Sequence, residues 1–530
     1  MVASPLLNRS HKLAILIFFF LNLLLLFAFR QVQPFHVLLF IILFLVWCFP
    51  GYLFAMIASR AERRGPFFWI RSIVAGYHLS SIFALLIVQL FTVPIWLLAF
   101  LMACVLLSLF LIFHDRILSE INKFRFPRRG IEVSPLSFIL ILSTIFIFLI
   151  IFPHTQAGKT SADGLQYHDL YSTVFFKHVS ITSELTKNIP PENPFFFGEK
   201  LHYYWLFYIF PAIAHNALNI PIEEALFLLT WAITITALFS ILILIHAFST
   251  RTTDLLMAAT PLLFAYSYDG IIVLANLQQS AQPLSKFTSV NIDAAARTYL
   301  STPEVIGVYR AFVFDPHHMF AICLMTLSFL LFKRSLHKPS WIVAASALFL
   351  LGAIAGHSAF IAYTAVSWIV VWLTIELIRG KASFLMDKKF IISALGIISF
   401  YTFIYFGSPG LYETDSSNLD FGLLPKSSGF MFIDFGALLI LGSLGLFLAI
   451  KKKDDRVLPI AILLVVGLIQ LFFTFFPEWP NDLSMKTGHS ISIALACLGA
   501  HFFSKQASGS KRRRIAKLGF AFLILPALPT

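Results

Sequence analysis

Three short stretches gather the side chains able to do acid–base or phosphate chemistry. The first, ADGLQYHDLY (162–171), holds Asp163, His168 and Asp169. A partly desolvated carboxylate within reach of an acceptor O–H or N–H suits a general base. Asp169 reads equally well as the N-cap of the helix expected after it, a role Asp fills readily. The second, RAFVFDPHHMF (310–320), holds Arg310, Asp315, His317 and His318. Carboxylate and imidazole together, here Asp315 with His317 or His318, would accept a divalent cation. They would also serve as hydrogen-bonding groups facing a substrate, or as plain interfacial polarity. Neighbouring side chains at 317 and 318 diverge on a helix, which argues against both holding one ion. The third, FPEWPNDLSMKTGHS (476–490), holds Glu478, Asn481, Asp482, Lys486 and His489. Lys486 would neutralise the charge growing on a phosphate leaving group; a lysine snorkelling to lipid headgroups is the alternative. His357 and Glu376 read as structural.

The elements that must position these residues are membrane helices. Of the 530 residues, 58% are apolar and 12% charged, with 60 Phe and a mean hydropathy of +0.84. Apolar runs near the roughly 20 residues needed to cross a bilayer recur along the whole chain. The expected fold is an all-α polytopic membrane protein with about 15 transmembrane helices. Expected spans include 13–29, 35–58, 68–91, 94–113, 136–152, 224–248, 254–275, 309–332, 340–355, 357–378, 488–503 and 515–530. The net charge of +13 does not indicate a nucleic-acid partner. With the N-terminus inside, most Lys and Arg fall on inner loops and most acids on outer ones, the bias that orients membrane proteins. Cys48, Cys104, Cys323 and Cys497 all sit within expected spans, so no disulfide framework follows. The first span lacks an A-x-A cleavage site and reads as a retained anchor. The absence of Walker, GxGxxG and HExxH patterns argues against ATP hydrolysis, dinucleotide use and zinc proteolysis.

Residues 1–113 form an N-terminal four-helix extension, and 114–135 a basic cytoplasmic linker. Residues 136–503 are expected to form the main membrane module, and 504–530 a basic loop with a last helix expected to be barely long enough to finish a span. The longest outer segment, 153–223, reads as an ordered cap. Within it 170–186 has helical spacing of Leu170, Val174, Phe175, Val179 and Ile181, with Lys177, His178 and Glu184 on the other face. An amphipathic surface helix follows from that pattern. After a Pro-rich turn comes HYYWLFYIFPAIAHNAL (202–218), aromatic, broken by Pro211 and carrying His202, His215 and Asn216. It reads as an interfacial or partly inserted helix; an ordinary span is the alternative.

This order of span, Asp-led loop, surface helix, Pro-rich turn, aromatic helix and span resembles the GT-C superfamily of membrane glycosyltransferases. IPPENPFFFGEKLHYYW (189–205) is similar to the PP-x-x-P-x-x-x-G-x-x-L-x-YYY segment of YYY-type membrane proteins. FDPHHMFA (314–321) is similar to their D-x-H-P-H stretch, with DPHH in place of DLHPH. The third aromatic is Trp205, and the first loop carries DGLQYHD. The likeness covers about residues 136–503; residues 1–113 lie outside it.

The resemblance implies an extracytoplasmic transfer of a sugar from a polyprenyl-phosphate donor, held by its lipid among membrane lipids, to an acceptor glycan, lipid or protein. It implies Asp163 or Asp169, with His168, as the catalytic set. Lys486, Arg310, His318, Asp482, His202 and Tyr203 would bind substrate and lipid phosphate. Two other readings remain: a transporter or flippase of lipid-linked saccharides, and a non-catalytic envelope-assembly protein.

Overall fold

The computed structural model describes residues 9–58, 66–91, 135–155, 159–166, 172–249, 251–283, 307–407, 430–475, 482–505 and 511–525, apart from positions 31, 163, 197, 266 and 282, together with 97, 292, 295, 296, 420 and 421. The span expected at 94–113 and the linker at 114–135 fall largely outside them. The chain divides into two compact units, residues 1–238 with 399–412, and residues 239–398 with 413–530.

Unit one contains α1 (Arg9–Leu25), α2 (Pro34–Trp47), α3 (Phe49–Ala58), α4 (Pro66–Phe91) and α5 (Pro135–Ile151). A short antiparallel ribbon of β1 (Lys159–Ser161) and β2 (Gly164–Gln166) follows. Then come α6 (Ser172–Leu185), α7 (Ile209–Leu218) and the start of α8 (Ile222–His246). Helices α3 and α4 meet backbone to backbone. A Cβ on Gly51 would lie 2.2 Å from Gly76 N, and one on Gly76 would lie 1.9 Å from Cys48 O. Only glycine permits that approach, as at other close membrane helix crossings.

The amphipathic helix expected at 170–186 is present as α6, but its faces differ from the expected ones. His178 is buried together with Phe175, Ile181, Thr182 and Leu185, and its ring lies 5.2 Å from that of Tyr208. Steps of three and four residues (175, 178, 182, 185) put it on the inward face. The aromatic segment forms a 3-10 turn, Trp205–Tyr208, continuing into α7. Every residue from Tyr203 to Ala214 is buried, so this segment packs inside unit one. Phe210 contacts the rings of Phe40, Phe44 and Trp47 on α2, and Tyr77 of α4 donates to Phe207 O.

Unit two contains the end of α8, then α9 (Thr252–Phe264), α10 (Asp269–Gln279), α11 (Val308–Phe314), α12 (Pro316–His337), α13 (Trp341–Ala353) and α14 (Ala359–Ile378). Helix α15 (Lys388–Gly407) runs from this unit into the other. The rest is β3 (Asp420–Phe421), α16 (Phe430–Lys452), α17 (Leu458–Phe473), β4 (Thr474–Phe475), α18 (Asp482–Ser504) and α19 (Lys511–Ile524). β3 and β4 pair antiparallel.

Helix α18 is the hub, packed by α9, α14, α16 and α17. A Cβ on Gly445 of α16 would stand 2.0 Å from Leu498 O of α18, so that crossing also requires glycine. Polar ties join α14 to α17: Thr364 Oγ1 donates to Gln470 Oε1 at 2.6 Å, and Trp368 Nε1 to Pro459 O at 2.6 Å. In dry surroundings such bonds leave no buried group unsatisfied. At the turn between α16 and α17, Asp454 accepts from Arg456 Nε at 2.9 Å and Nη2 at 2.7 Å. Lys505, after α18, lies 2.5 Å from the same carboxylate. The hydrogen bond from Arg456 is the main cause holding the Asp454 carboxyl well below its ordinary value; Lys505 adds to it against partial burial.

Among the described residues, eight helices are long and apolar enough to cross a membrane, nine if α9 and α10 count as one bent span. The chain is an all-α polytopic membrane protein by architecture. The span expected at 254–275 is two helices bent by 41°, broken where Ala265, Ser267 and Tyr268 leave the helix line. The one expected at 340–355 is α13 plus a short 3-10 turn.

Candidate functional site

The best-defined polar constellation lies within unit two, where α11 gives way to α12. Pro316 disfavours helical backbone at the residue before it, and Asp315 accordingly adopts φ −128°, ψ 62°. Proline itself is well placed at the first position of a helix, so α12 starts there. Asp315 stands at the N-cap, and its carbonyl accepts from His318 N at 2.9 Å and Met319 N at 3.3 Å. Its side chain makes no capping bond.

The carboxylate goes elsewhere: Lys486 Nζ donates to Asp315 Oδ2 at 2.5 Å. The Lys486 side chain is 7% and that of Asp315 14% exposed, so the pair is largely out of water. Burial by itself pushes the Asp315 carboxyl up, but the Lys486 ammonium, helped by His318 and His317, holds it well below the usual carboxylate range. A buried lysine bonded to a carboxylate is not one snorkelling to headgroups.

Lys486 belongs to α18, which starts at Asp482, six residues before the span expected at 488–503. Instead of preceding a span, it lies in the helix's second turn. His489, also fully buried, follows three residues later on the same face. His317 and His318 are buried too, with ring centroids 4.1 Å apart. His357, in the turn before α14, packs edge-on to Phe320 at 4.7 Å, which suits a structural role. Arg310 sits on α11 with its guanidinium 5.1 Å from the Phe314 ring centre.

The remaining expected site residues divide as follows. Asp163, His168 and Asp169 lie outside the described residues, as does the side chain of Asp482, which opens α18. In unit one, His202 is exposed, whereas Tyr203 is buried with Lys177 Nζ 3.7 Å from its ring centre. His178 was legible as a buried residue only by following the helical steps from Phe175, because histidine scores as polar.

Chemically, the Asp315–Lys486 pair is an ammonium held in a fixed place with its charge balanced. An arriving phosphate would compete with a carboxylate for the same three ammonium donors. No protein-family model matches the chain, and no curated protein matches it. What stands on architecture is the class alone, a multi-pass helical membrane protein.

Proposed function

We propose that this protein is an integral membrane glycosyltransferase of GT-C type, with about 15 crossings and its site on the extracytoplasmic face. It would move a sugar from a polyprenyl-phosphate donor to an acceptor glycan, lipid or protein. The observation that carries this reading is the buried ion pair of Asp315 and Lys486, brought together from helices 171 residues apart in sequence. Taking two charges out of water is costly and adds little net stability, which favours a functional role for this pair beside the start of a candidate span at Pro316.

In the proposed reaction the acceptor's O–H attacks the anomeric carbon, and the bond from that carbon to the phosphate oxygen breaks. Asp163 or Asp169, with His168, takes the acceptor proton. The lipid phosphate departs as an anion, and Lys486, with Arg310 and His318, neutralises it. Asp482, His202 and Tyr203 complete the proposed substrate-binding set. A divalent cation (Mg or Mn) at Asp315 and His317 would add charge neutralisation. Those residues fit one only in competition with Lys486, whose ammonium already covers Oδ2.

Purified protein in proteoliposomes, given polyprenyl-phosphate sugars, should release lipid phosphate. Asp163→Asn should abolish release, and Lys486→Met should lower kcat by about 10²–10³-fold, the usual loss when one charge-stabilising donor is removed. Undiminished turnover in both variants would end this reading.

One observation favours a second reading, a transporter or flippase of lipid-linked saccharides. Transporter sites use discontinuous helices, and the α9–α10 pair is bent by 41° at its break. Movement of substrate across the same vesicles without sugar transfer would select it.

A further inference from the structure

The loop between α6 and α7 in unit one carries an apolar tip. Phe195 and Phe196 are 61% and 62% exposed, and Phe197 follows them in sequence. The tip is not loosely held. An isolated bridge pairs Glu192 with Lys200, and Leu201 N donates to Pro191 O. Asn193 N donates to Glu199 O at 2.8 Å, Glu199 N to Phe196 O at 3.2 Å, and Phe196 N to Asn193 O at 3.3 Å. The Asn193 side chain accepts from Phe195 N at 3.0 Å. Gly198 supplies the positive φ of +79° that closes the turn, a conformation in which side chains are disfavoured. The loop thus spends its own hydrogen bonds on presenting two phenyl rings to the outside.

We infer that Phe195 and Phe196 form a prebuilt wedge that enters the lipid interface of the membrane. Polarity along the loop is stepped. From Pro194 to Phe196 there is no side-chain hydrogen-bonding group, whereas Glu192, Glu199, Lys200 and His202 at the base are all exposed. An apolar tip over a charged collar matches the gradient from acyl chains to headgroups. A protein-binding hot spot is typically built from Trp, Tyr and Arg, which add polar handles to their apolar bulk; these phenyl rings have none. Reach is also suitable. Helix α7, which follows the loop, has 10 residues and is therefore only about 15 Å long at 1.5 Å per residue. It ends at Leu218, four residues before the 25-residue span α8 opens at Ile222, so the chain that carries the loop leads directly into a membrane span. A rigid loop loses little freedom on insertion.

The test is site-directed spin labelling of the full chain in phosphatidylcholine–phosphatidylglycerol proteoliposomes. Phe196→Cys is labelled with a nitroxide, and labelled wild type corrects for native thiols, of which Cys48, Cys323 and Cys497 are buried. Collision with oxygen, which concentrates in lipid, should exceed collision with a water-soluble nickel chelate several-fold at position 196. A label at Glu199→Cys should show the reverse order. If position 196 favours the nickel chelate, or is shielded from both agents as in a protein contact, the wedge is disproved. Phe195→Cys repeats the measurement should the first variant fail to assemble.

Discussion

Lys486 Nζ and Asp315 Oδ2 stand 2.5 Å apart across 171 residues of chain, with both side chains largely removed from water. The Lys486 ammonium has no bulk water to replace its partner, so losing either residue strands a charge. Lys486→Met or Asp315→Asn alone should therefore destabilise the protein by about 3–5 kcal/mol, the usual result of breaking a buried pair. The double variant Asp315→Leu/Lys486→Met should recover most of that loss. Unfolding in detergent would measure all four proteins, and simply additive single effects would sink the coupling.

The same pair governs any affinity for divalent ions. With Lys486 in place a metal beside Asp315 meets a fixed positive charge, whose repulsion is strong where water is scarce. Wild-type protein should leave the free Mn2+ signal in electron paramagnetic resonance nearly unchanged. Lys486→Met should deplete it, and adding His317→Ala should restore it. Strong Mn2+ uptake by the wild type would refute this ordering.

Much of this was legible beforehand, and the gaps have physical causes. Asp315 and Lys486 were each conspicuous as polar residues flanking apolar runs. Their pairing was not, because the hydropathy of α18 declines where a lysine intervenes, although a partner within the fold lets that lysine stay buried. His178 was misplaced for a related reason: its type suggests solvent, while its spacing from Phe175 and Thr182 puts it inward. The Ser-Tyr-Asp-Gly run at 267–270 is a turn signal, but the apolar residues on either side read as one continuous crossing. The long helices themselves were plain, since length and hydropathy determine them locally.

Acid should expose the role of Asp454. Its carboxyl is held well below the ordinary value by Arg456 and Lys505, so the native state favours the ionised form. The stabilisation is complete above the unfolded pKa of about 4 and declines as pH falls through the depressed native value. Asp454→Asn should lower stability at pH 7 by about 0.5–1 kcal/mol, since Arg456 is exposed and solvent screens the pair. It should also flatten the acid limb of the melting temperature against pH. Parallel curves for variant and wild type would contradict the assignment.

The crossing of α16 and α18 should tolerate no added methyl group. Gly445→Ala would place a carbon against Leu498 O, and the two helices would have to separate. A loss of about 1–3 kcal/mol, the usual cost of overpacking, is expected in detergent melts. Gly396→Ala, where nothing lies within 4 Å, is the control and should be neutral or mildly stabilising.

The contact of Gly51 with Gly76 joins α3 and α4, two neighbours in chain order, with no room for an acyl chain to slip between them. Their matching surfaces are complete once residue 91 has been made, long before α18 exists. Because membrane proteins emerge from the N-terminus onward, this hairpin can close early on the ribosome and give later helices a finished wall to settle against.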